Sequence, residues 1–256
     1  MRNVLAIALT LLASSTAWAG STKVNAEDGT TLAAQHSGKG ERGVLLVHNK
    51  GRSAADFEYL QGRLADEGFQ VLSFDMRGHG DTGGELTDEA TLALPGDVCS
   101  ASQLLMAKGA TVVTVLGSGF GGAMAIHAAG TCETVHRLIL LSPDLSKNGD
   151  TTIGASLEAM GGKPMLLVSN DEDPRQSRPA GFIEAKSKGR VDSQSAAGAG
   201  SGVKMLNREA GLEEVILSWL NESFELASGN LAETKTLETD EANEIETSGV
   251  EYGKNK

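Results

Sequence analysis

The sequence predicts one α/β domain built on a mostly parallel central sheet with helices on both faces. Three observations carry this. Short apolar runs at Gly43–Val47, Gln70–Phe74, Thr111–Leu116, Arg137–Leu141 and Pro164–Val168 read as strands. They alternate with helical spacing at Ala54–Glu67, Leu94–Lys108, Phe120–Ala129 and Ile153–Met160. The strand runs are apolar at successive rather than alternate positions, as strands buried on both faces require.

At the front of this array, Thr22–Asn25 and Thr31–Gln35 flank Asp28-Gly29, a turn dipeptide, and so form an opening hairpin. At its end, Lys204–Leu226 places Met205, Leu206, Leu212, Val215, Ile216, Trp219, Leu220 and Phe224 on one apolar face and is expected to be a single closing helix. Only about twenty residues separate Leu141 from Pro164, too few for a helical lid, so no large cap domain is expected and any site should be open.

The flanks are of another kind. Residues 1–19 combine a positive start at Arg2, an apolar stretch from Val4 to Leu12 and a small-x-small site at Ala17-Trp18-Ala19, the pattern of a secretory signal peptide. The stretch is too short for a membrane anchor. The expected product is a secreted or periplasmic domain over residues 20–227, with no membrane anchor after cleavage. From residue 228 to 256 periodicity disappears and seven acids face three lysines, which is expected to give a disordered acidic tail. A solvating role suits this composition best, and contact with another envelope component is the alternative.

The net charge of −12 and the lack of a basic cluster exclude nucleic acid as a partner. Cys99 and Cys132 would lie in an oxidising compartment. Cys99 falls in the early turns of its expected helix and Cys132 beyond the end of the next, with the two helices running parallel, so two free, buried thiols are expected. No cofactor is implied, and no histidine pair has metal-ligand spacing.

Three segments resemble the α/β-hydrolase family, especially its small, uncapped, dienelactone-hydrolase-like members. They are Gly43-Val-Leu-Leu-Val-His48-Asn49-Lys50-Gly51, the turn Asp75-Met76-Arg77-Gly78-His79-Gly80-Asp81-Thr82, and Val113-Thr-Val-Leu-Gly117-Ser118-Gly119-Phe120-Gly121-Gly122. The resemblance runs from about residue 28 to residue 226 and implies a serine nucleophile at a strained elbow, followed in the chain by an acid and a histidine. It also implies oxyanion-hole amides in the region of Asn49, Lys50 and Phe120.

Here the elbow's third residue is Gly119, and Ser118 stands one position early, a displaced nucleophile candidate. Asp173 falls at the acid's place, and Ser201 falls where the family has its histidine. The chain's histidines, at 36, 48, 79, 127 and 136, all precede that position. His48 and His79 belong to turns expected to need structural hydrogen bonds. A serine hydroxyl cannot relay a proton near neutral pH as imidazole does.

Three functions stay open. The first is a non-catalytic member of the fold that binds a small-molecule or acyl ligand or acts as a scaffold. The second is an esterase-like hydrolase of ester or acyl substrates using Ser118, the other serine near the site being Ser142. The third is a dinucleotide-binding protein, because Gly117-x-Gly119-x-x-Gly122 is literally that fingerprint and Asp144 follows at ribose-contact distance.

Overall fold

The computed structural model describes residues 20–145 and 150–222. The expected signal peptide at 1–19, the tail from 228 and Phe224 lie outside these residues. Eight strands form one sheet: β1 (Gly20–Asn25), β2 (Thr31–Ser37), β3 (Arg42–Val47), β4 (Gln70–Phe74), β5 (Val112–Ser118), β6 (Arg137–Leu141), β7 (Met165–Ser169) and β8 (Val191–Ser195). Their order is β1-β2-β4-β3-β5-β6-β7-β8. β1 and β2 pair antiparallel, β2 pairs antiparallel with β4, and every later pairing is parallel.

Among the described residues, six α-helices cover the sheet: α1 (Glu58–Asp66), α2 (Asp88–Ala107), α3 (Phe120–Thr131), α4 (Asp150–Ala159), α5 (Pro174–Lys186) and α6 (Leu212–Leu220). Strand alternation divides the core between two faces. Leu45, Val47, Leu72 and Phe74 pack with α2, α3 and α4 in one apolar cluster. Val44, Leu46, Val71, Ile139 and Leu166 pack with α1 and α6 in the other. α4, in the described part of the segment between β6 and β7, packs in the first layer.

Arg77 locks the front of the domain. Its guanidinium donates to both carboxylate oxygens of Asp97 on α2, at 2.7 and 2.6 Å, and reaches Asp28 in the β1–β2 turn. Asp97 is 1% exposed, and burial raises its pKa above the ordinary carboxylate value despite the adjacent cation. Removing Arg77 would leave a carboxylate without its counter-charge in the core.

The structure departs from the sequence expectations at four places. Pro95 resembles a helix start, but it lies inside α2, which begins six residues before Leu94 at Asp88, with the Thr87 hydroxyl accepting from Ala90 N. That longer helix overturns the free-thiol expectation. Cys99 now lies about 17 Å along α2 and Cys132 about 18 Å along α3, from 1.5 Å of rise per residue. The two therefore sit side by side, with Cα atoms 5.7 Å apart, and form a disulfide. The closing helix is broken: a 3-10 turn at Gly202–Met205 is separated from α6 by Gly211, whose φ is 86°. Finally, α5 and β8 carry too little apolar patterning to be foreseen.

Two stability outcomes follow, both readable by chemical denaturation. Arg77→Leu should cost about 3–5 kcal/mol, the cost of breaking a buried ion pair from one side. Replacing both cysteines by serine should cost about 3–4 kcal/mol for the loop closed across 33 residues. Losses within measurement error would show that neither lock carries load.

Candidate functional site

The turn from β5 into α3 sets the geometry. Gly119, with φ 53° and ψ −117°, caps α3 in a conformation that L side chains rarely adopt. Its N–H donates to Leu141 O at 3.0 Å, and its carbonyl accepts from Gly122 N and Asp144 N, each at 3.0 Å. The neighbouring glycines answer to packing: a Cβ on Gly117 would meet Gly122 Cα at 2.6 Å, and one on Gly121 would meet His48 O at 2.4 Å. Close helix–strand contact at Gly117 and Gly122 and the positive φ of Gly119 give these three glycines structural reasons of their own.

The side chain above this elbow belongs to Asn49. Its carboxamide oxygen accepts from Lys50 N and from Phe120 N, both at 2.8 Å. A Cβ placed on Gly119 would lie 2.5 Å from both Cγ and Oδ1 of Asn49. The three residues expected to form an oxyanion hole thus converge, but two supply amides and the third fills the space between them. The sequence pointed to these positions; the structure adds that the Asn49 side-chain oxygen lies between the two amides.

The serines point elsewhere. Ser118 is 1% exposed, and its hydroxyl accepts from Val203 N at 3.2 Å. The Ser142 hydroxyl accepts from Gly202 N at 3.1 Å and donates to Met205 Sδ at 2.9 Å. Both therefore pin the loop that carries Ser201. Ser201 itself is exposed and begins the 3-10 turn with no side-chain capping bond.

Asp173 is committed to its own helix. It accepts from Arg175 N at 3.0 Å as the cap of α5 and pairs with the Arg175 guanidinium at 2.8 Å, which pulls its pKa down to about 2. Asn49, Gly119, Ser142, Asp144, Asp173 and Ser201 all line one open cavity of about 570 Å³. The buried Gln176 was missed from sequence, having no motif to mark it. It donates to Gly200 O and accepts from Asn170 N, joining α5 to the Ser201 loop.

The histidines are staples. His48 Nε2 accepts from Met76 N at 3.0 Å, so its Nδ1 carries the proton donated to Asn49 O at 2.8 Å. His79 Nε2 accepts from Gly51 N, leaving Nδ1 to donate to Arg77 O. His136 Nδ1 accepts from Val113 N, and His127 Nδ1 pairs with the Ser156 hydroxyl. None of the five histidines lines the cavity above Gly119.

Burial holds His48, His36 and His127 below the ordinary value of 6.5. The unfolded chain therefore protonates first on acidification. The stability these rings contribute is complete above pH 6.5 and is lost as pH falls from there toward the depressed folded values. The thermal midpoint should drop over that window, and a rise would contradict neutral, buried rings.

The contact between Asn49 and Gly119 is tested by a double-mutant cycle. Gly119→Ala should cost roughly 2–4 kcal/mol, from backbone strain and two lost hydrogen bonds. In an Asn49→Ala background only the strain should remain, giving a coupling of about 1–2 kcal/mol. Strict additivity would mean that the carboxamide does not occupy this space.

Comparison with known proteins agrees with this architecture. An uncharacterised abhydrolase domain-containing protein of Dictyostelium discoideum is 30% identical over 139 residues, which are 51% of this chain and 14% of that protein. The chain thus spans only a small part of that relative. An esterase from Exiguobacterium antarcticum superposes with a TM-score of 0.61 at 18% identity, covering 78% of this chain and 99% of that one. The Pyrococcus furiosus esterase Pf2001 gives 0.67 at 16% identity, covering 80% and 93%. At such identities these two structures establish the shared fold alone. The family model described as serine aminopeptidase, S33 matches residues 38–178, more than half of the sequence, and the chain belongs to this family of the α/β-hydrolase fold.

Proposed function

We propose that this chain is an exported α/β-hydrolase-fold protein that has lost serine-hydrolase chemistry and serves as a ligand-binding or scaffold protein. One observation carries the reading: the Asn49 carboxamide takes the hydrogen bonds of Lys50 N and Phe120 N, the amides that in a hydrolase would hold a developing oxyanion. A substrate carbonyl would have to displace it. Gly119 then offers that carbonyl no nucleophile, and Ser201 no base.

Export is supported by the leader pattern at residues 1–19 and by the Cys99–Cys132 disulfide, which persists in oxidising compartments. What remains usable of the site is the open cavity bordered by Asp144, Asp173, Arg175, Arg178 and Ser201. Its mixed charge suits a polar ligand. The acidic tail is proposed to solvate the chain or to contact another envelope component.

The competing reading is an exported esterase acting on ester or acyl substrates through Ser118, and it draws support from the family and from esterase-like fold neighbours. The hydrogen bond from Val203 N and the burial of Ser118 weigh against it.

Short-chain p-nitrophenyl esters separate the two. The native chain should show no turnover above buffer. Restoring serine and histidine through Gly119→Ser and Ser201→His should fail while Asn49 stays, because the new Cβ meets its carboxamide. Adding Asn49→Gly should release measurable hydrolysis. Native turnover that disappears in Ser118→Ala would establish the esterase instead.

A further inference from the structure

A larger cavity lies away from the elbow, beside α1. On the face covered by α1 and α6, no residue of β1 or β2 enters the apolar cluster. The strip of sheet next to α1 is instead polar. Register pairing sets Gln35 opposite Ser73 and Ser37 opposite Val71, so the side chains of Gln35, Ser37 and Ser73 share this face with Asp75. Together with Gln61 of α1 they floor a cleft of about 630 Å³, with Glu58 and Asp81 exposed on its rim.

This floor is not ordinary wet surface. Ser37 is 3% exposed, Gln61 3%, Ser73 1% and Asp75 7%. Most of these groups are satisfied: the Ser73 hydroxyl donates to Gln61 Oε1, Gln61 Nε2 donates to Gln35 O, and the Asp75 oxygens accept from Ala54 N and Asp81 N. The Ser37 hydroxyl is the exception, buried with no partner. A buried hydroxyl without a hydrogen bond costs free energy that a ligand group would recover.

The charge and the open hydrogen-bonding capacity select the ligand. Among the described residues, no lysine, arginine or histidine lines the cleft, whereas Glu58, Asp75 and Asp81 do. Each Asp75 oxygen keeps lone pairs beyond the single amide it accepts, and Ser37 and Ser73 can accept as well. The walls are therefore rich in acceptors and negative, which disfavours anions and favours a cation carrying several donors. We propose that this cleft binds a small hydroxylated amine, protonated at neutral pH and of monosaccharide size. The proposal does not depend on the state of the elbow, because the two cavities share no lining residue.

Isothermal titration of the full chain with glucosamine, glucose and glucuronate tests it. Saturable binding is expected for glucosamine, weaker binding for glucose and none for glucuronate. Ser37→Ala should weaken glucosamine about tenfold, the worth of one good hydrogen bond to a charged or polar group. It should leave the thermal midpoint unchanged or raised, since the native hydroxyl has no partner. Glu58→Gln with Asp81→Asn should narrow the gap between glucosamine and glucose. Gly62→Phe, at a helix position where a Cβ meets nothing within 4 Å, should fill the cleft and abolish binding without unfolding the chain. The proposal is overturned by the absence of saturable glucosamine binding, by equal binding of glucuronate, or by native affinity in Ser37→Ala or Gly62→Phe.

Discussion

Two backbone amides at the carboxyl edge of the sheet, those of Lys50 and Phe120, donate to one side-chain oxygen, that of Asn49. Amides at the start of a helix, aimed into a shared space, attract any acceptor of suitable size. In a working hydrolase that acceptor is the substrate. Here it is built into the chain, and it fits because the residue beneath it is glycine. The carboxamide and the absent Cβ are complementary: a Cβ at residue 119 would lie 2.5 Å from the Asn49 carboxamide and displace it.

Other features at this edge follow the same economy of polar groups. Ser118 and Ser142 tie down the amides of Val203 and Gly202. Asp173 caps α5 and holds Arg175. The family turn at Asp75–Thr82 keeps its architectural roles through Arg77, His79 and the doubly engaged Asp75 carboxylate. The family's scaffold surrounds a centre where the Asn49, Ser118, Ser142 and Asp173 side chains are hydrogen-bonded within the chain.

Much of the fold was legible in the sequence because its central strands carry runs of successive apolar residues, a signal that neighbouring chain cannot mask. β8 reads Val-Asp-Ser-Gln-Ser at the sheet edge, and one face of it is polar, so the same signal was absent there. Gly211 breaks an apolar face that looks continuous when periodicity alone is counted. The disulfide escaped because the helix expected from Leu94 begins at Asp88, which displaced Cys99 by almost two turns in the inferred helix. At the edge of the sheet, residue identities and turn motifs marked Gly119, Ser201 and the amides as candidates, and the structure sets Asn49, Gly119 and Ser201 on one cavity. The position of the Asn49 side chain depends on a long-range contact with α3 that no local pattern encodes.

The account stands or falls on whether any serine of this chain is an activated nucleophile. Incubation with a fluorophosphonate, followed by intact mass measurement and peptide mapping, asks this without assuming a substrate. Buried, hydrogen-bonded Ser118 and a glycine elbow predict an unmodified mass. A stoichiometric phosphonyl adduct on Ser118 would contradict the account.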